Sequence, residues 1–287
     1  MPQSAGYQVK NGRIKVMMDN FKIVAVHVST YRKKYGGRMD IYLLGTASAA
    51  GGADRENTYL LLQDQQEWVM VDVGGSSLQK LKKLEISLHD IRDVLFTHFH
   101  TDHIYGLPSL LWGMWLAKRT KPLNIHCAAE NEPRLRSWLE WMEAKEWPIL
   151  FPIHIQTFNW KEETEQIKGN DVTIRVFPSK HGVPTVGLRA QYQDKVIIYS
   201  ADTALNERIN QEIKIDLLIH EATSAMNPGP THTGLKELAQ FYELEKIAQV
   251  ALVHLTDEEP YASVLAALPE EQKQKIKLGY DLMKLKV

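Results

Sequence analysis

The sequence predicts an α/β protein in which two mixed β-sheets pack face to face, with helices covering their outer faces. Short apolar segments typical of strands alternate with helical segments from residue 39 to the C-terminus. The alternation occurs in two halves, each with strands and then helices, so each half can supply one sheet and its helical cover. With 287 residues, 44% of them hydrophobic, the chain can bury a substantial core.

Individual elements follow from apolar spacing and from the turns between the apolar segments. In the first half, a polar turn joins two such segments into a predicted hairpin. The predicted strands of this half are 39–45, 58–63, 67–73, 93–97 and 123–127, and its predicted helices are 104–118 and 132–145. The second half has predicted strands at 172–177, 186–192, 196–200, 216–220 and 248–254, and predicted helices at 205–212 and 235–244. A further helix and strand close the chain.

Residues 1–38 predict an N-terminal extension that precedes a single domain over 39–287. The extension contains one segment of strand composition, 21–29, and a basic stretch that ends in two glycines before Met39. Two interpretations fit this pattern. The extension adds an edge strand, or translation naturally starts at Met39, because the glycine codons can double as a ribosome-binding site. The intact mass of protein made from the native gene distinguishes them.

Composition narrows the class of function. The formal net charge of −1 provides no global positive field for nucleic acid, so a polyanionic substrate would need a local basic patch. No segment reaches the about 18 apolar residues of a membrane helix, and the N-terminus lacks a signal-peptide cleavage site. The single cysteine, Cys127, fits a reducing compartment, and its apolar strand predicts a packed thiol. We therefore expect a cytoplasmic protein without a membrane partner.

The densest chemistry lies in Thr97-His98-Phe99-His100-Thr101-Asp102-His103, directly after a predicted strand. Alternate residues of an extended segment face the same side, so His98 and His100 can bind one cation together. Asp102 and His103 follow where the chain turns into a helix, and they can face a second cation. Imidazole and carboxylate ligands suit zinc and other first-row divalent ions. The alternative is that surface histidines are crowded here by chance. The chain has only 11 histidines, so three of them within six residues, together with an aspartate, are improbable by chance.

This motif resembles the signature of the metallo-β-lactamase superfamily, whose fold is a four-layer αβ/βα sandwich. The resemblance covers nearly all of 39–287, and Val71-Asp72-Val73-Gly74 looks like the segment whose aspartate supports the metal loop. Segments 178–184, 199–203 and 253–255 are similar to later motifs of the ribonuclease Z branch. The resemblance implies two divalent ions, zinc or else manganese or iron. Its implied ligands are His98, His100, His181 and Asp202 for the first ion, and Asp102, His103, Asp202 and His254 for the second.

The ribonuclease Z branch also implies an acid–base pair. His220-Glu221-Ala222-Thr223 and Thr231-His232-Thr233 match the segments in which a glutamate orients a histidine beside the leaving group. Glu221 would orient His232, which would protonate the departing oxygen, and Asp102 would accept a proton from the attacking water. The alternative is a buried Glu221 that caps the loop, with His232 exposed.

The expected activity is therefore hydrolysis of a phosphodiester in RNA or in a nucleotide. Relatives of the ribonuclease Z branch commonly carry a flexible arm that grips tRNA, often between a strand like 186–192 and the bridging aspartate. Only a short hairpin, 190–200, lies there in this chain, so the substrate is RNA processed at its 3′ end or a smaller diester such as a cyclic nucleotide. Two alternatives remain open: hydrolysis of carboxylic esters, lactones or β-lactams, and a metal-bound sensor without turnover.

Six of the seven tryptophans lie between Trp112 and Trp160. Pairs such as Trp112 and Trp115 are spaced to share a helix face, and core packing is the favoured explanation over an interface. The helix after the metal motif supplies a dimer contact in several relatives of the superfamily, so a homodimer is a further expectation. Two basic runs, 80–83 and 118–121, could guide phosphates, but the favoured interpretation is solvated surface charge.

Overall fold

The computed structural model describes residues 7–10, 13–16, 39–144 and 146–287. Contacts divide the chain into two units, Met1–Arg38 and Met39–Val287. In the first unit, strands β1 (Tyr7–Lys10) and β2 (Arg13–Val16) pair antiparallel. The predicted strand 21–29 lies outside the described residues.

Two seven-stranded mixed sheets form the second unit. The strands are, in chain order, β3 (Asp40–Gly45), β4 (Tyr59–Asp64), β5 (Glu67–Val71), β6 (Ile91–Leu95), β7 (Leu123–Ala128) and β8 (Ile153–Phe158) in the first sheet; β9 (Thr164–Lys168), β10 (Val172–Pro178), β11 (Val186–Tyr192), β12 (Lys195–Tyr199), β13 (Leu217–Glu221), β14 (Val250–Val253) and β15 (Ile276–Leu278) in the second; and β16 (Met283–Lys286). The spatial order is β16-β3-β4-β5-β6-β7-β8 in the first sheet and β15-β14-β13-β12-β11-β10-β9 in the second. The last strand thus returns to the edge of the first sheet.

Helices lie against the outer faces of both sheets. They are α1 (Ser77–Lys83), α2 (Thr101–Ile104), α3 (Leu107–Leu116), α4 (Glu132–Trp141), α5 (Glu207–Asn210), α6 (Leu235–Phe241), α7 (Tyr261–Ala267) and α8 (Glu270–Lys275), with 3₁₀ turns at Ala129–Asn131 and Leu244–Lys246. No helix among the described residues is both long enough and apolar enough to cross a membrane. The predicted four-layer αβ/βα sandwich is confirmed.

Side-chain alternation along the strands generates the layers. In β13, Leu217 and Ile219 point into the core between the two sheets, whereas Leu218 points into the core beneath the helices of the second sheet. In β3, Leu43 lies in the intersheet core and Leu44 lies in the core beneath the helices of the first sheet. Central strands are therefore apolar on both faces, as expected of strands that are covered on both sides.

Most predicted elements are present, with shifted ends. The predicted helix 104–118 is shorter than expected, at Leu107–Leu116, and the four-residue helix α2 precedes it. Gly106, between the two helices, lies so close to β5 and the loop after it that a β-carbon there would be 2.7 Å from the carbonyl oxygen of Val73. Sequence analysis missed β1, β2, β8, β9 and α1, and it expected one closing helix and one closing strand where the structure has α7, α8, β15 and β16. Strands β8 and β9 are the last members of their sheets, and many of their side chains are exposed, so their apolar patterns are weak. Cys127 is buried as predicted, and burial raises the pKa of its thiol to about 12.

The interpretation of the basic runs as solvated charges is wrong for two residues. Lys80 is buried, and its Nζ lies 2.6 Å from a carboxylate oxygen of Asp281. The Arg119 side chain is also buried and donates hydrogen bonds to the carbonyl oxygens of Leu88, Lys121 and Pro122 at 2.6–2.8 Å. Each cation has partners that the local sequence pattern could not reveal.

The tryptophans are only partly in the core. The rings of Trp112, Trp115 and Trp147 contact one another, with the Trp112 and Trp115 centroids 4.4 Å apart. Trp112 is nevertheless 43% exposed, and Trp141 is 79% exposed. The core-packing prediction is therefore wrong for these two side chains, whose apolar surface faces solvent.

Arg119→Met should lower the free energy of unfolding by roughly 3 kcal/mol, because three carbonyl oxygens lose their donors in a buried position. Lys121→Met, at a side chain that is mostly exposed, is the matched control and should change it by less than about 0.5 kcal/mol. Urea unfolding followed by tryptophan fluorescence measures both. Equal stabilities of the two variants would contradict the role assigned to Arg119.

Candidate metal centre

The seven predicted ligands lie together at one edge of the sandwich. The motif of residues 97–103 follows β6 in the first sheet, and His181, Asp202 and His254 follow β10, β12 and β14 in the second. The three strands of the second sheet point the same way, so their carboxyl ends share an edge, where sites of α/β proteins commonly form. The carboxyl end of β6 meets this edge from the first sheet. Both sheets are needed to assemble the cluster.

The first group of ligand atoms belongs to His98, His100, His181 and Asp202. Nδ1 of His100 lies 3.1 Å from Nε2 of His98 and 3.2 Å from Nε2 of His181. Nε2 of His98 lies 3.7 Å from Oδ2 of Asp202. The intervening Phe99 points the opposite way, into the apolar core against Phe96. The alternation expected from the sequence is therefore present.

The second group belongs to Asp102, His103, Asp202 and His254. Nε2 of His103 lies 3.2 Å from a carboxylate oxygen of Asp102 and 3.5 Å from one of Asp202. Nε2 of His254 lies 3.3 Å from Oδ2 of Asp202 and 3.5 Å from Oδ2 of Asp102. Asp202 belongs to both groups, in the position of a bridging carboxylate.

The chemistry of this donor set fits a bound cation. Among the described residues, five buried side-chain polar atoms have no hydrogen-bond partner, and four of them are Oδ2 of Asp102, Nε2 of His103, Oδ1 of Asp202 and Nε2 of His254. Buried polar atoms without a partner are costly and therefore rare in folded proteins. Imidazole nitrogens and carboxylate oxygens are ligands that zinc and related divalent ions prefer. Metal ions are therefore the groups that these residues fit.

The far side of each of three imidazoles is hydrogen-bonded, which determines the nitrogen that faces the centre. Nδ1 of His103 donates to Oδ2 of Asp72 at 2.8 Å, and Nδ1 of His181 donates to the carbonyl oxygen of Thr231 at 3.0 Å. Nδ1 of His254 lies 2.8 Å from Oγ1 of Thr223. Such partners orient a ligating histidine and leave its Nε2 lone pair for the metal.

Asp72 is the main support of the loop that carries the motif. Its carboxylate also accepts hydrogen bonds from the backbone N–H and the hydroxyl of Thr97, both at 2.8 Å. The backbone of the loop is anchored nearby, because Val73 N–H donates to the carbonyl oxygen of His103 at 2.7 Å. Gly74 permits this close approach, since a β-carbon there would lie 2.5 Å from the carbonyl oxygen of Asp102. The supporting role expected of Asp72 matches its contacts.

Three non-glycine residues around the centre have a left-handed backbone. They are Asp72, Ala201 and His254, with φ of 60°, 51° and 57°, and each lies just beyond the end of a strand. This conformation is unfavourable for residues with a β-carbon and is concentrated at functional sites. It turns the chain sharply, so that Asp202 and His254 face the centre instead of continuing their strands.

Burial and neighbouring charges set the protonation of the ligands. Burial lowers the pKa of His98 and His100, which favours the neutral imidazole that a metal requires. Burial raises the pKa of Asp102 and Asp202, but contacts with His103 and His254 outweigh it and lower both pKa values. Both carboxylates are thus anionic at neutral pH.

Glu221 and His232 form a hydrogen-bonded pair beside the metal ligands. Nδ1 of His232 lies 2.9 Å from Oε1 of Glu221, which is buried and also accepts hydrogen bonds from the backbone N–H groups of Thr203 and Thr233. The His232 ring stacks on His254, with centroids 5.5 Å apart and planes 12° apart. Burial lowers the pKa of His232, but its hydrogen bond to Glu221 outweighs this effect and raises it. The structure therefore brings together the pair that the sequence predicted.

Two supporting residues were missed in the sequence, although their motifs were noted. Thr97 and Thr223 contribute hydroxyls that contact His98 and His254. A cavity of about 470 Å³ at the amino ends of β6 and β7 was also missed. Its Asp93 accepts hydrogen bonds from Arg92, Asn124 and His126. These groups are partnered by one another, so we assign them a structural role.

Comparisons with known sequences agree with the superfamily resemblance. Residues 39–268 match the family described as "Anti-Pycsar protein Apyc1". Ribonuclease Z of Prochlorococcus marinus (strain MIT 9215) is 27% identical over 176 residues, which cover 60% of this chain and 55% of that protein. This chain thus spans about half the length of that curated relative. Ribonuclease Z of Thermococcus sibiricus is 26% identical over 269 residues, covering 75% of this chain and 86% of that enzyme.

Solved structures share the fold at low sequence identity. The metallo-β-lactamase fold protein YhfI of Bacillus subtilis is 17% identical, with a TM-score of 0.72 over 87% of this chain and 99% of that one. Human tRNase Z, short form, is 20% identical, with a TM-score of 0.69 over 86% and 98% of the two chains. A diphosphatase of the PhnP family also has a TM-score of 0.69, at 17% identity over 88% and 98%. The described domain therefore has the metallo-β-lactamase fold.

Asp72→Asn should lower the affinity for divalent metal about 10- to 100-fold, because the amide replaces one acceptor oxygen by a donor that faces N–H and O–H groups. Metal content after dialysis against graded chelator, measured by plasma mass spectrometry, tests this expectation. Asp93→Asn is the matched control, since it alters a buried aspartate of the other polar network without touching a predicted ligand. Identical metal retention by both variants would contradict the role of Asp72.

Proposed function

The chain belongs to the anti-Pycsar protein Apyc1 family, and we propose that it is a dinuclear metal-dependent phosphodiesterase that hydrolyses a small nucleotide diester such as a cyclic nucleotide. The observation that carries the proposal is a double ligand cluster sharing Asp202, with an acid–base pair beside it. Similarity to ribonuclease Z proteins supports the phosphodiester as the scissile bond.

The ions would be held by the two ligand groups that share Asp202. Bound divalent cations lower the pKa of a water and neutralise the phosphoryl oxygens of a diester. Asp102 has a carboxylate oxygen in the centre, and its lowered pKa keeps that carboxylate ionised, which suits a ligand of a cation. A lowered pKa also makes the carboxylate a weak base, so its proposed second role, accepting a proton from the attacking water, relies on the ions to make that water more acidic.

His232 is the proposed proton donor to the leaving oxygen. Its Nδ1 is bonded to Glu221, so Nε2 is the atom that can deliver a proton. The raised pKa favours the imidazolium, which is the donating form. Glu221 positions and charges the ring without contacting substrate. A departing alkoxide is a strong base, so protonation contributes most when the leaving group is the sugar hydroxyl of a nucleotide.

The shape of the chain supports a small substrate over pre-tRNA. Strands β11 and β12 are joined by a turn of two residues, Gln193 and Asp194, where relatives of the ribonuclease Z branch commonly carry their tRNA-gripping arm. Lys80 and Arg119, which belong to the two basic runs noted in the sequence, are buried in internal contacts and are not available to a phosphate. RNA 3′ processing is thus the less favoured form of the same activity.

Hydrolysis of carboxylic esters, lactones or β-lactams is the competing activity. Such reactions can use the same metal ligands, but they leave the Glu221–His232 pair without a role. The many contacts that hold Glu221 in place favour the phosphodiester.

The identity of the metal, the oligomeric state and the cellular compartment are part of the same proposal. Zinc is the proposed ion, because histidine dominates the ligand set, with manganese or iron as substitutes. The exposed apolar side chains of Tyr105, Trp112 and Leu116 lie on or beside the helix after the metal motif and are the proposed homodimer contact. The proposed compartment is the cytoplasm, which agrees with a single free cysteine.

His232→Ala should lower kcat on a cyclic nucleotide about 10²- to 10⁴-fold, the usual contribution of a general acid. On bis(p-nitrophenyl) phosphate the loss should be much smaller, because p-nitrophenolate departs without a proton. The wild-type rate should also fall as pH rises above the raised pKa of His232, and the variant should lack that decrease. His89→Ala, remote from the centre, is the control. Equal losses on both substrates would contradict the role of His232 as the acid.

Metal-loaded protein should hydrolyse a cyclic nucleotide and leave a pre-tRNA with a 3′ trailer intact, because it lacks a long arm between β11 and β12. Chromatography of nucleotide products and gel analysis of the tRNA measure the two reactions. Trailer cleavage would restore the RNA-processing form of the proposal. Turnover of lactones or thioesters without any diester hydrolysis would overturn the phosphodiesterase itself.

A further inference from the structure

The Thr223 hydroxyl contacts both the metal ligands and the acid–base pair. Its Oγ1 lies 2.8 Å from Oε2 of Glu221, 2.8 Å from Nδ1 of His254 and 3.2 Å from Nδ1 of His232. Its backbone N–H donates to the same Glu221 oxygen at 3.0 Å. One side chain is therefore in contact with a predicted metal ligand, a predicted proton donor and the carboxylate that positions this donor.

Counting protons determines the direction of each of these bonds. A hydroxyl has one proton to donate and two lone pairs to accept with. An ionised carboxylate can only accept, so the proton goes to Glu221. Toward His254, Oγ1 must then act as the acceptor, which requires the proton of that imidazole to be on Nδ1. His232 donates its own Nδ1 proton mainly to Glu221, at 2.9 Å.

This arrangement excludes a competing state of His254. If its proton were on Nε2, the ring would donate to the carboxylates of Asp202 and Asp102, which lie 3.3 and 3.5 Å away. The buried oxygens would then be satisfied internally, and the position of the second ion would be blocked by a proton. By accepting at Nδ1, Thr223 keeps the Nε2 lone pair exposed to the ion.

We infer that Thr223 is a positioning residue that fixes the Nδ1–H tautomer of His254 for the second metal ion. The same hydroxyl connects His254 to the Glu221–His232 pair through hydrogen bonds. The inference rests on the proposed metal centre. It assigns to one hydroxyl the coupling between metal retention and orientation of the proton donor. His103 and His181 have separate acceptors for this purpose, Asp72 and the carbonyl of Thr231, neither of which contacts Glu221 in this way.

Thr223→Val removes the hydroxyl and preserves the shape, Thr223→Ser preserves the hydroxyl, and Thr256→Val is the matched control. Thr256→Val removes two partly buried hydroxyl contacts, with the carbonyl oxygen of Thr223 and with Oγ of Ser48. It leaves Oγ1 of Thr223 and the three contacts of that oxygen in place. Zinc content is measured across a series of chelator concentrations. We expect Thr223→Val to lose one ion at a chelator concentration at least about tenfold lower than the wild type. Thr223→Ser and Thr256→Val should retain two ions over the wild-type range.

A second measurement uses the unaltered protein. After its metal has been removed with chelator, long-range ¹H–¹⁵N spectra of its histidine rings should show His254 protonated at Nδ1, because no ion then occupies Nε2 and the hydrogen bond to Thr223 alone selects the tautomer. A His254 ring protonated at Nε2 alone would overturn the inference even if Thr223→Val does not fold. Zinc-saturated Thr223→Val should retain a deficit in kcat that Thr223→Ser lacks. Two ions held equally by the wild type and Thr223→Val would overturn the inference alone. A wild-type protein that holds no ion would overturn the proposed function with it.

Discussion

Asp202 carries a buried carboxylate whose oxygens lie within 3.7 Å of ring nitrogens of His98, His103 and His254. Lone pairs of nitrogen and oxygen at such distances repel one another unless a proton or a cation lies between them. His98 and His103 follow a strand of the first sheet, whereas Asp202 and His254 follow strands of the second. The face-to-face packing of the sheets thus creates a polar cluster that needs positive charge, and the rest of the centre determines whether that charge is a metal ion or a proton.

Hydrogen bonds at Nδ1 orient three of the predicted histidine ligands so that Nε2 faces the centre. Asp72, Thr223 and the carbonyl of Thr231 each accept a proton from the outer nitrogen of a different histidine. At His232 a hydrogen bond at Nδ1 serves a different purpose. Glu221 accepts from Nδ1 of this ring, and Nε2 can then donate a proton instead of binding a metal ion. Hydrogen bonding on the far side of a ring therefore distinguishes a ligand from an acid in a cluster composed largely of histidine.

The sequence predicted the centre better than its surroundings. The spacing of His98, His100 and His103 was enough to predict that their side chains converge, because alternation in an extended segment and the turn after it depend only on neighbouring residues. Lys80 could not be predicted as a buried cation, since its partner Asp281 lies 201 positions away. Thr223 stands in a recognised motif, but its contact with His254 depends on the parallel pairing of β13 and β14. The edge strands β8 and β9 lack a clear apolar pattern because many of their side chains are exposed to solvent.

The central claim is that one edge of the sandwich holds two metal ions that share Asp202. Anomalous diffraction from crystals grown with zinc, collected on both sides of the zinc absorption edge, tests it most directly. Two anomalous peaks per chain should flank the Asp202 carboxylate, one contacted by His98, His100 and His181 and the other by Asp102, His103 and His254. A single peak, or peaks that none of these side chains contacts, would contradict the account.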